Sequence, residues 1–283
     1  MKGLIVRTML IVVAFPLFYV LIFLLPYGNH LTLNLVAVLA SFVGSYEIYS
    51  MIQKKRGLFS FPLLPILAAS ISVVAILEVS GILLPGAIAF LIVSLLSLIM
   101  LVELFVSAKE GLEHFIDKVS YSLLILLYPS LFITYIIRIS RFEESSMLLL
   151  FFFSLAFSND ILAYLAGKLF GHQSRMNLAV SPKKSLAGFI AGFSASLVTT
   201  VVFYFLVPSL FPVSFYTILI FGSLFGFLVI LGDLVESALK RSALIKDSGE
   251  IIPGRGGLLD SIDSLLLIAP LFFYFFDKVI KLK

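Results

Sequence analysis

The sequence predicts an all-α polytopic integral membrane protein, and three observations predict it. Of the 283 residues 61% are hydrophobic and only 13% charged, giving a mean hydropathy of +1.15, whereas an ordinary globular chain is about 25% charged. The apolar residues gather into runs of roughly 20, the length a helix needs to cross the hydrocarbon core. Segments of strict polar and apolar alternation, the mark of a transmembrane barrel, are missing, so the spans should be helices that satisfy their own backbone groups.

About nine such spans follow in order. The first, near 4–26, comes after Met1-Lys2-Gly3 and imitates a signal peptide, but it runs into LLPYGNH without a small-residue cleavage site and is read as a membrane helix. The second, 31–52, contains Glu47, and the third, 61–80, has Pro at its start and Gly at its end. The fourth, 82–107, holds Glu103, and the fifth covers 119–139. The sixth, 146–170, carries Asp160, while the seventh, 185–208, has Gly188 and Gly192 spaced for close helix packing. The eighth, 213–232, ends at Gly232, and the ninth covers 261–280. We divide the chain accordingly into N-terminal helices (1–81), middle helices with a possible dimerisation region (82–145) and a C-terminal region carrying the charged motifs (146–283).

Nine alternating spans put 15 of the 20 basic residues on one side, which the positive-inside rule makes cytoplasmic. Eight of those 15 lie in or directly beside two loop regions that look functional, and without them the ratio is 7 to 5, carried mostly by Lys54, Lys55 and Arg56. The two loops, 171–184 and 242–259, then open on the same face. The absence of Cys and the scatter of His30, His114 and His172 exclude disulfides and argue against a Cys/His zinc site. There is no GxxxxGK[ST] phosphate loop, no dinucleotide-binding strand-turn-helix and no Ser-His-Asp set.

An ionised side chain inside a span costs about 2.5 to 3.5 kcal/mol on insertion scales, so it tends to face a cavity or a partner. For Glu47 and Glu103 packing or a buried hydrogen bond is the expected reason. Asp160, Tyr164 and Lys168 instead follow at i, i+4 and i+8 along one helix face. Next, SPKKS places Ser181 as an expected helix cap with Lys183 and Lys184 beside the positive helix end, a place for a polyanion such as a triphosphate. The eighth span then runs out into Asp233, Glu236 and Lys240, at i, i+3 and i+7, followed by Arg241, Lys246 and Asp247.

The stretch IIPGRGG frees the backbone to bring N–H groups close to an anion and carries Arg255. It leads into Asp260 and Asp263 in the first turn of the last helix. Up to six acids (Asp160, Asp233, Glu236, Asp247, Asp260, Asp263) could converge with Lys183, Lys184, Lys240, Arg241, Lys246 and Arg255 on one polar, cytoplasm-facing cavity. Clustered carboxylates with oxygen ligands only call for Mg²⁺, and the inventory suits phosphoryl or nucleotidyl transfer.

The run SALKRSALIKDSGEIIPGRGGLLDSIDS, 237–264, closely resembles the signature of the phosphatidate cytidylyltransferase (CDP-diacylglycerol synthase) family. GDLVES, the Asn159-Asp160 pair with Tyr164, and SPKKS resemble that family's blocks in its order, over about 159–270. Arg255 stands where the family usually has His, and Ser261 where it usually has Arg.

The resemblance implies a Mg²⁺-dependent transfer from CTP to phosphatidic acid, giving CDP-diacylglycerol and pyrophosphate in phospholipid biosynthesis. It further implies catalytic roles for Asp233, Lys246, Asp247, Asp260 and Asp263, and metal ligands among Asp233, Glu236, Asp247, Asp260 and Asp263. Substrate contacts fall to Ser181, Lys183, Lys184, Lys240, Arg241, Arg255, Asp160 and Tyr164. A second, monovalent cation and a homodimer are further expectations, as is an inner-membrane location with the site on the cytoplasmic side. Nucleic acid is not an expected partner. The rival readings are a cytidylyltransferase for another membrane lipid phosphate, an inactive lipid-binding paralogue, and an ion-coupled transporter, the last disfavoured because no block of 159–263 is repeated in the first half.

Overall fold

The computed structural model describes residues 16–56, 61–252 and 256–281, and among them it is helical with no strand. Eight α-helices follow in order: α1 (Tyr27–Arg56), α2 (Leu64–Val79), α3 (Ala87–Glu110), α4 (Phe115–Ile139), α5 (Ser145–Phe170), α6 (Leu186–Leu206), α7 (Phe215–Ser242) and α8 (Leu259–Tyr274), which continues as a π-helical turn, Phe275–Ile280. All but α2 are long and apolar enough to cross a membrane, so the protein is multi-pass.

The expected nine spans become seven among the described residues. The 16-residue α2 reaches only about 24 Å at 1.5 Å per residue, short of a bilayer core of roughly 30 Å. The first expected span lies largely outside the described residues. The eighth ends ten residues later than its apolar run, because the polar segment from Asp233 to Ser242 stays helical.

The described residues form two compact units, one within Met1–Ser140 and Ala243–Asp260, the other within Arg141–Ser242 and Ser261–Lys283. In the first, α1, α2 and α4 pack on one another and α3 lies against α2 and α4. Small polar residues tie these helices where apolar packing alone gives little preference in lipid. Ser41 Oγ donates to Ser130 Oγ at 2.7 Å, and Ser72 Oγ donates to the Ser130 carbonyl at 3.4 Å. Glu78, at the end of α2, accepts from the backbone N–H of Gly86 and of Ile88 at 3.1 and 3.0 Å, so it caps α3, and it pairs with Arg138 of α4 at 3.1 Å.

In the second unit α6 packs against both α5 and α7. A Cβ on Gly188 would stand 2.8 Å from the Ala163 carbonyl, and one on Gly192 would stand 2.6 Å from Asn159 Oδ1. The GxxxG face is therefore where α6 meets α5, as its spacing suggests. Buried Asn159 then ties three helices, donating to Ser196 Oγ at 2.9 Å and to the Gly226 carbonyl at 3.1 Å. Phe151, Phe221, Phe272 and Phe276, all buried, fill the opposite part with rings 4.8 to 6.3 Å apart.

Candidate functional site

In the second unit the approach to α6 is a tight loop. Arg175 and Ser185 form an isolated antiparallel bridge, the Met176 N–H donates to the Lys184 carbonyl at 3.0 Å, and the Leu186 N–H donates to the Ser174 carbonyl at 2.7 Å.

This bridge sets the helix start four residues later than the sequence suggested. The cap is Ser185, whose Oγ accepts from the Gly188 N–H at 3.1 Å, and not Ser181. Ser181 instead closes a turn, its carbonyl accepting from the Lys184 N–H at 3.2 Å. The signal for the true cap was present, since Ser185 directly precedes the apolar run. Lys183 is exposed, while Lys184 reaches across to pair with Asp233 on α7.

The helical end of α7 presents Asp233, Glu236 and Lys240 as their spacing predicts. Glu236 is fully buried and forms an ion pair with Lys240 one turn on. Arg241 donates from Nε to the Val180 carbonyl at 3.4 Å, fastening the 174–186 loop to this end of the helix.

Asp263 on α8 is 4% exposed, and its Oδ1 accepts from the N–H of Ser264 at 2.7 Å. Asp233, Asp160 and Glu236 are near enough to act on it electrostatically, so four of the six expected acids gather in this unit. Gly232 makes the approach possible, because a Cβ there would come within 2.7 Å of Ser264 Cα. Asp160 and Tyr164, half-buried, share one face of α5 with the exposed Lys168. Ser261 Oγ is a buried atom with no hydrogen-bond partner among the described residues.

The other two acids, Asp247 and Asp260, belong to the first unit. Asp260 Oδ2 accepts from the N–H of Ser248 at 2.9 Å and of Gly257 at 2.8 Å, and lies 2.9 Å from Ser248 Oγ. Asp247 is half-exposed, 4.0 Å from the exposed Lys246. Gly256, with φ near +118°, occupies left-handed backbone where other residues are strained, and a Cβ there would stand 2.5 Å from Asp260 Oδ2. Arg255 lies outside the described residues.

Sequence reasoning gave Glu47 only a generic buried hydrogen bond. In the structure its carboxylate accepts from Ser248 Oγ at 2.9 Å and from the N–H groups of Leu258 and Leu259, both at 2.8 Å. No nearby sequence signal links a residue of α1 to a loop 201 positions away.

Among the described residues no three His, Cys, Asp or Glu side chains stand in a metal-holding group. Mg²⁺ does not require one, since it commonly takes one or two carboxylates and completes its shell with waters and substrate phosphates. The carboxylates near Asp263 offer oxygen donors only, the ligand chemistry such an ion takes, and Lys184 pairs with Asp233 as Lys240 does with Glu236.

The family model of the Cytidylyltransferase family matches residues 5–279. The chain belongs to that family. It is 35% identical to the phosphatidate cytidylyltransferase of Thermotoga maritima over 175 residues, covering 60% of this chain and 63% of the relative. With the phosphatidate cytidylyltransferase of Bacillus subtilis it shares 36% over 161 residues, 56% of this chain and 58% of the relative. An uncharacterised protein of Escherichia coli (strain K12), YnbB, is 33% identical over 175 residues, 61% of this chain and 57% of the relative. The matches thus span about three-fifths of these relatives' lengths.

Proposed function

We propose that this membrane protein transfers the cytidylyl group of CTP to phosphatidic acid, releasing pyrophosphate and forming CDP-diacylglycerol. The observation that carries the reading is buried Asp263 facing Asp160, Asp233 and Glu236, with Lys184 on the neighbouring loop, in a chain of the cytidylyltransferase family. Relatives named phosphatidate cytidylyltransferase support the substrate class. The eight basic residues in and beside the loops 171–184 and 242–259 support a site on the cytoplasmic side of an inner membrane.

An oxygen of the lipid phosphate attacks the α-phosphorus of CTP, the bond from that phosphorus to the β-phosphate bridging oxygen breaks, and pyrophosphate leaves. The lipid phosphate is itself the nucleophile, so the protein needs only to bind, orient and neutralise. Asp263 and Asp233 are the ligands proposed for Mg²⁺, which when bound would neutralise phosphate oxygens during the transfer.

Lys184 moves from Asp233 to the triphosphate as CTP enters, and Lys183, already exposed, joins it. Ser181 lines the same turn. Lys240 and Arg241 hold their end of α7 positive. Asp160 and Tyr164 shape the wall on α5. The resemblance assigns Lys246, Asp247, Asp260 and Arg255 to the same reaction through phosphate contacts and support of the loop.

Pyrophosphate release from the purified protein in detergent, with CTP, phosphatidic acid and Mg²⁺, tests the reading. Release that needs all three and fails with ATP or with EDTA supports it. Release with another lipid phosphate in place of phosphatidic acid would move the assignment to that lipid, and no release with any lipid phosphate would overturn it.

A further inference from the structure

We propose that Glu47, far from the signature in sequence, is a positioning residue that sets the signature loop in its working geometry. The inference rests on the cytidylyltransferase reading for its catalytic consequence, but the clamp itself is visible in the first unit alone.

Glu47 is 3% exposed within a membrane-spanning helix, where a carboxylate survives only with strong partners. Its partners are all supplied by one segment. The N–H groups of Leu258 and Leu259 stand at the start of α8, where backbone donors have no partner within the helix and the helix dipole is positive. Glu47 is thus an N-cap delivered to α8 from α1, and charge-assisted bonds of this kind are roughly twice as strong as neutral ones.

The clamp has a second jaw. Ser248 Oγ lies 2.9 Å from both Glu47 Oε2 and Asp260 Oδ2. One hydroxyl holds one proton and so donates to one carboxylate at a time, which couples the two acids through a single side chain.

Gly249 and Gly257 close around the carboxylate. A Cβ on Gly249 would stand 2.7 Å from Glu47 Oε1, and one on Gly257 would stand 2.5 and 2.6 Å from the two Glu47 oxygens. Those two glycines of the signature are therefore small because Glu47, joined at Gly257 by Ser248 Oγ, fills their side. The position of Asp260, one residue into α8, is thus set by the clamp together with the loop's own bonds from Ser248 and Gly257.

Glu47→Gln keeps the shape but turns one of the two heads into a donor facing N–H groups. Hydrogen exchange of the full-length protein in detergent should then show the Leu258 and Leu259 amides exchanging at least tenfold faster, with amides in the middle of α5 unchanged. Pyrophosphate release should lose at least tenfold in kcat, with KM for CTP changed less than kcat.

Exchange within twofold of the wild type would overturn the clamp. Faster exchange with an unaltered kcat would overturn the positioning role, leaving Glu47 an anchor only. Ser248→Ala provides the same test should Glu47→Gln not fold. It should raise exchange at Leu258 and lower kcat by a smaller factor, and no change in either would overturn the proposal. If the wild-type protein releases no pyrophosphate with any lipid phosphate, the reaction reading fails while the exchange measurement still decides the clamp.

Discussion

The two units hold carboxylates in opposite company. In the first, Glu47 and Asp260 are surrounded by N–H and O–H donors, at 2.8 to 2.9 Å in every case. In the second, Asp263 faces three other acids, and the counter-charges come from lysines. A carboxylate met by backbone donors is satisfied and fixes the chain that carries those donors. Carboxylates that face each other retain a demand for cations, which is what a site for a metal and a triphosphate needs. The same residue type thus fixes backbone in one region and draws in lysines in the other.

The sharpest way to break this comparison is Asp263→Asn. It should reduce pyrophosphate release by roughly 10²–10³-fold, the scale of losing one electrostatic contact to the transition state, while thermal unfolding in detergent stays near that of the wild type. Near-normal turnover would remove Asp263 from the site. Gly257→Ala should do the reverse, attacking structure first. A Cβ 2.5 Å from a buried carboxylate oxygen forces overpacking of about 1–3 kcal/mol, seen as a lower melting temperature before any change in KM.

Asp260→Asn should affect both readouts. It leaves the Ser248 and Gly257 amides with a weaker acceptor, for a loss of about 1–3 kcal/mol, and turnover should fall along with it. If only turnover fell, Asp260 would belong with the acids of the second unit. The smallest effect concerns Lys184 and Asp233, whose side chains are 24% and 41% exposed. A double-mutant cycle on unfolding should couple them by only about 0.5–1 kcal/mol, and CTP should abolish that coupling by drawing Lys184 away.

Much of this was legible in the sequence because it rests on local periodicity. Hydropathy found α5 within one residue at each end, and helical spacing put Asp233, Glu236 and Lys240 on one face before α7 was seen to extend that far. What escaped depends on partners distant in the chain. The cap of α6 shifted from Ser181 to Ser185 because a bridge to Arg175 defines where the helix begins. Glu47 read only as an intramembrane charge, since composition cannot reveal that its donors sit beyond residue 247. The six acids read as one set from their order in the sequence; Asp160, Asp233, Glu236 and Asp263 belong to the second unit, and Asp247 and Asp260 to the first.

The late arrival of that loop has a consequence for how the protein is made. Glu47 enters the membrane early in synthesis, yet Ser248 lies 201 residues downstream. At about 5–20 residues per second, the ribosome takes roughly 10–40 s to supply its donors. Throughout that interval a nascent first unit carries an uncapped carboxylate in a membrane-spanning helix, a feature that chaperones and membrane proteases can read as unfinished. Completion of the loop supplies those donors, so insertion of Glu47 and its capping are separated by the time it takes to make those 201 residues.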